Sequence, residues 1–232
     1  MLIGRILALA VGLALLAGPP EAQGADRPLR HGMRVAASQI DWTNLTNAER
    51  RRVVRRWNRA PALLDVLLDR VAPGLAVHRT RGTELAQGNS TDLNIGGLDR
   101  PWQINLSPLV LHGGDKLSAH ITSHELGHVI DGALADDAWR AAFFAALSRS
   151  PLWQPCWPMP PGSSSRCVRG NEIFADQFAF WATARRDVRS SYGVPPLMHR
   201  AELGVWLARL PSGPLGRPRS NVATIGPAVE RM

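Results

Sequence analysis

Apolar positions in this chain fall first in one unbroken run, Ile6 to Ala17, and afterwards only in periodic stripes or short alternating stretches. The run is too short to span a bilayer. Arg5 precedes it, and Ala22-Gln23-Gly24 puts small residues where a signal peptidase reads, so residues 1–24 read as a secretory signal cleaved after Gly24. From there Thr46-Asn47-Ala48-Glu49 forms a capping box that starts a helix with Val53, Val54 and Trp57 as its apolar stripe. Pro61 restarts a helix through Val71, buried through Leu63, Leu64, Leu67 and Leu68, and Pro73-Gly74 ends it.

The period then changes. Leu75 to His78 and Trp102 to Leu106 are short strand-like stretches set among Gly, Asn, Asp and Pro, which predicts a small sheet. Gly113-Gly114-Asp115 introduces a second helical region from Lys116 to about Leu134, with Asp115 as its N-cap. Further helices are expected at Asp137–Leu147, Asn171–Arg185 and Met198–Leu210, and the stretch from Ser150 to Gly170 reads as a loop. The whole predicts an α+β domain over residues 25–210 and a loosely ordered tail over 211–232.

Composition narrows this picture only a little. The formal net charge is +8, almost all of it arginine, with Lys116 the sole lysine. Arg50, Arg51, Arg52, Arg55, Arg56 and Arg59 crowd the first capped helix. They make either a face for anionic surfaces or the solvated side of a docked helix, the commoner arrangement. Nothing in the pattern specifies a nucleic acid. No segment after the leader is long and apolar enough for a transmembrane helix, so export to the periplasm or the outside is expected. Cys156 and Cys167 are the only cysteines, and in an oxidising compartment they are expected to close one disulfide.

The chemistry concentrates in His124-Glu125-Leu126-Gly127-His128. Residues four apart on a helix point the same way, so both imidazoles can reach one metal ion, and zinc suits imidazole. Glu125 stands beside the pair as a base for a metal-activated water. Ile121, Val129, Ile130 and Leu134 flank the motif, and buried histidines need partners that a metal provides. The best third ligand is Glu172. Asp176 lies one turn on, placed to orient a ligand histidine through its free N–H. The alternative makes Glu172 a helix cap and Asp176 a solvated side chain. Asp131 is a candidate for a supporting role or a cap, and His120 for a spare ligand or a satisfied neighbour. Tyr192 and His199 are the candidates to stabilise an oxyanion.

HELGH followed by Glu172-Ile173-Phe174-Ala175-Asp176 on a later helix resembles the gluzincin branch of the zinc metallopeptidases. The wording HELGHVID … NEIFADQFAF is most similar to anthrax lethal factor-type catalytic domains. The resemblance covers these two helices only. It implies Glu172 as third zinc ligand and a zincin-like fold: a small sheet, the HExxH helix beneath it and a mostly helical C-terminal lobe. It also implies hydrolysis of peptide or protein substrates laid along an edge strand, here Trp102–Leu106. A cell-wall peptide hydrolase, or an exported metal-binding protein or pseudo-enzyme with non-catalytic zinc, are the competing expectations. The oligomeric state is not legible.

Overall fold

In the computed structural model, the described residues are 28–81, 86–89, 102–147, 170–185 and 196–211. The expected leader, both cysteines, Tyr192 and the tail beyond Pro211 lie outside them. The elements are α1 (His31–Gln39), β1 (Asp41–Thr43), α2 (Asn47–Asn58), α3 (Leu63–Val71), β2 (Leu75–Arg79), β3 (Ala86–Asn89), β4 (Trp102–Leu106), α4 (Pro108–His112), α5 (Asp115–Leu134), α6 (Asp137–Leu147), α7 (Gly170–Thr183) and α8 (Arg200–Ala208). This is an α+β arrangement, mostly helical, around one small sheet. Among the described residues no helix is long and apolar enough to cross a membrane.

The sheet runs in the order β1-β2-β4-β3. β1, β2 and β4 are parallel, and β3 closes the row antiparallel to β4, Gly88 opposite Ile104. β4 is therefore an interior strand, and the end strand beside α5 is β3. This corrects the expectation that Trp102–Leu106 is the edge. The alternation of Trp102, Ile104 and Leu106, all buried, is the mark of a strand with one face in the core. Ala86-Gln87-Gly88-Asn89 has no such pattern and passes unnoticed in the sequence.

Two further elements were not foreseen. α1 and α4 are too short for a helical period to show in the sequence, and they bury Met33, Ala36, Val110 and Leu111. α4 is held at its end by α2: Arg56 Nη1 donates to Val110 O at 3.1 Å, and Arg52 Nη1 to Leu111 O at 3.5 Å. Carbonyls at a helix C-terminus attract guanidinium groups. Part of the arginine crowding on α2 thus serves the fold, and Arg56 is buried. In α5 the N-cap is Gly114, so Asp115 is the first helical residue rather than the cap. α3 starts at Leu63, two residues after Pro61, whose carbonyl accepts from Leu64 N.

The capping box at the start of α2 is present, and it does more than cap. Glu49 is buried. Its Oε2 accepts from Thr46 N and Thr46 Oγ1, both at 2.8 Å, while its Oε1 meets His112 Nε2 at 2.7 Å and Arg79 Nη1 at 3.3 Å. One carboxylate thereby ties α2 to the end of β2 and to α4. Burial by itself would raise its pKa, but the bonds from His112 and Thr46 and the charge of Arg79 pull it down to about 2. A depressed carboxylate adds stability above its unfolded value of 4.5 and loses it as pH falls towards 2. Glu49→Gln should cost about 1–3 kcal/mol at neutral pH. In denaturant melts across the acid range, the gap between variant and wild type should close between pH 4.5 and about 2.

Candidate metal centre

α5 is the central helix of the molecule. From Ser118 onward it is buried except at Ile121, His124, His128 and Gly132, which are half-buried. Their spacing of three, four and four residues makes one stripe along the helix, and both histidines of the motif sit on it. α7 is buried almost all round, and Asn171 and Glu172, near its N-terminus, are again half-buried. The open stripe of α5 and the open end of α7 face each other.

What lets them meet is a close approach of the two backbones. A Cβ placed on Gly127 would come within 2.9 Å of Ala175 Cα, 3.2 Å of Phe178 Cβ and 3.3 Å of Ala175 O. Only glycine leaves room for that contact. Ala175, with no side chain beyond Cβ, forms the other half of it. Phe174, Phe178 and Trp181 are all buried there. Trp139 and Phe143 of α6 pack on Phe174, and Trp206 of α8 on Trp139. Arg200 Nε donates to Trp181 O at 2.7 Å, satisfying the C-terminal end of α7.

With the helices so placed, His124 Nε2 lies 3.2 Å from Glu172 Oε2, His128 Nε2 lies 3.4 Å from the same oxygen, and the two imidazole nitrogens are 3.1 Å apart. Three donor atoms on a tetrahedral metal with bonds of about 2.0–2.1 Å stand roughly 3.3–3.4 Å from one another. The observed triangle has that size. The donor set of imidazoles and a carboxylate is one that divalent metals take, and it could hold a metal ion.

Asp176 is buried, not solvated. Its Oδ1 is 2.9 Å from His124 Nδ1. A carboxylate accepts, so Nδ1 carries a proton and Nε2 is the nitrogen turned to the triangle. Burial disfavours charge on His124, but hydrogen bonds to Asp176 and Glu172 and the charges of Asp176 and Glu125 push its pKa up to about 10. Burial likewise opposes charge on Glu172, and the two histidines hold its carboxyl well below the usual range. The metal-free cluster therefore compensates its own carboxylates with a proton on His124, the place a metal ion would take.

The remaining candidates fall in different places. Glu125 is buried beside the pair on α5 and acts on His124 through its charge. Asp131 is buried and paired with Arg140, whose Nε donates to Oδ1 at 2.9 Å and whose Nη2 donates to the Asp131 carbonyl at 2.8 Å. Burial raises its carboxyl to about 6 against the pull of Arg140, and the charge of His128 in the triangle pulls the same way as Arg140. Asp131 thus anchors α6 to α5 rather than orienting a ligand. His199 is exposed at the start of α8, where it lines a cavity with Leu147, Met198 and Glu202 that contains none of the three clustered side chains. His120, by contrast, is brought into contact with the cluster: its Nε2 is 3.8 Å from Asp176 Oδ1.

Two substitutions test this geometry. Gly127→Ala should lower the melting temperature by overpacking, at a cost of about 1–3 kcal/mol, and weaken metal uptake by moving α7 away. Asp176→Asn should weaken metal binding about 10- to 100-fold while leaving the fold intact by circular dichroism. Both are read by metal titration of the chelator-stripped chain. Compared with known proteins, the chain matches no family model, no curated protein and no solved structure.

Proposed function

We propose that this protein is a secreted zinc-dependent endopeptidase with a zincin-like fold of the gluzincin branch. The observation that carries the reading is the triangle of His124 Nε2, His128 Nε2 and Glu172 Oε2, three donors at tetrahedral spacing with a buried Glu125 next to them. A structural zinc is closed by four protein ligands, whereas a catalytic one keeps a position open. Three groups converge here among the described residues, on a stripe that is half-open.

Zinc, when bound, supplies Lewis acidity for the scissile carbonyl and for water. The protein's own groups do the rest. His124 and His128 present their Nε2 atoms, and Asp176 keeps His124 in the tautomer that can ligate. Glu125 would take a proton from the attacking water as the new C–O bond forms and pass it to the amine nitrogen as the peptide C–N bond breaks. An extended peptide would lie along β3, the end strand beside α5, pairing with its backbone as an added strand. The excess of arginine over acidic residues supports acidic peptides, cell-wall peptides included, as partners.

Metal content and cleavage of an unstructured protein substrate test the reading together. Glu125→Gln should keep zinc and lose at least about 100-fold in turnover. Glu172→Ala should lose most of its zinc. A Glu125→Gln variant that cleaves as fast as wild type would remove the mechanism, and unchanged zinc in Glu172→Ala would remove the ligand set.

A further inference from the structure

His120, His124 and His128 form a ladder on α5, and only the last two are used by the triangle. His120 is buried, with both ring nitrogens shielded from solvent and neither hydrogen-bonded among the described residues. An imidazole left so is costly, because its polar atoms have lost water and gained no partner. Its Nε2 stands 3.8 Å from Asp176 Oδ1, and that oxygen is 2.9 Å from His124 Nδ1. One donor atom from each of these three residues lies within 4.8 Å of the others. Two imidazoles and a carboxylate are the same donor chemistry as the first cluster, one turn nearer the N-terminus of α5.

We infer that His120, Asp176 and the Nδ1 atom of His124 make a second divalent-cation site, for zinc, that shares the His124 ring with the first. The inference rests on the proposed first site. The second ion takes the place of the Nδ1 proton, which leaves to solvent, so that His124 binds one ion through each nitrogen. Asp176 exchanges that N–H for the ion, and His120 gains the partner it lacks. The side chains at this second cluster are less exposed than the first, 7% for His120 and 4% for Asp176 against 16% for Glu172. Filling it ties α5 to α7 at a second point. It should be the weaker site, because it requires a ring proton to be displaced.

The test is zinc per chain in the stripped, full-length protein equilibrated with rising free zinc. Wild type should reach two, with the second ion the weaker. His120→Leu should stop at one and retain the affinity of the first. The melting temperature of wild type should rise in two steps, that of His120→Leu in one. Saturation of wild type at one zinc overturns the second site while leaving the first standing, and no zinc at all overturns both. Two ions in His120→Leu also overturns it, since the second would then sit elsewhere. If the substitution unfolds the chain, cobalt decides on wild type alone. Two cobalt ions bridged by one ring should be magnetically coupled, and two independent signals would refute the shared histidine.

Discussion

The contact between Gly127 and Ala175 is the constraint on which the candidate site depends. The two histidines are mounted on α5 and the carboxylate on α7, and Glu172 reaches the histidines only if those helices nearly touch. Gly127 lies between His124 and His128, so the point of closest approach and the point of chemistry are the same turn of α5. Ala175 lies between Glu172 and Asp176, so the same holds on α7. A helix pair separated by larger side chains would stand 8–10 Å apart on axis and leave the carboxylate out of range. The aromatic packing of α6 and α8 behind α7 then presses the contact shut from the far side.

Within that contact, polar groups are buried at high density. Glu125, Asp176 and His120 are all within the interior, and Glu172 is only slightly open. In a low-dielectric surrounding such groups persist only when each compensates another. His124 is where the compensation converges, since one of its nitrogens faces Asp176 and the other faces Glu172. Its protonation in the metal-free cluster and its ligation in a metal-loaded one are two answers to the same electrostatic demand.

The arginine content has a structural side as well. Arg30 grips Asp65 through two bonds, at 2.8 and 2.6 Å, and the carbonyls of Asn58 and Ala60 besides. Arg56, Arg140 and Arg200 each donate to backbone carbonyls within the last turn of a helix. A guanidinium offers several donors in a fixed plane, which suits it to bind a carbonyl and a carboxylate at once in a way that lysine cannot. The net positive charge therefore mixes surface groups with internal fasteners, and the count alone overstates the basic surface.

By itself the sequence determined the helices with strong periodicity or a specific start signal, and the shared helix face of the motif's two histidines. The Thr46–Glu49 box, the apolar face of α3, the span of α6, and the alternation in β4 each carry a local physical rule that neighbours did not override. His124, Glu125 and His128 were legible because four-residue spacing is a property of one helix. Glu172 and Asp176 were legible only as an odd pair of carboxylates on an apolar helix. Their distance of 2.9–3.4 Å from the histidines depends on how α7 packs, which no local pattern contains. The same holds for β3, whose four residues have no strand signature and pair only because β4 offers a free side. It holds again for Asp131, drawn off by an arginine from the next helix, and for His120, which the fold buries beside Asp176. Spacing along one helix is written in the chain, whereas distance between helices is decided by what packs between them, and here that is a glycine hydrogen facing an alanine.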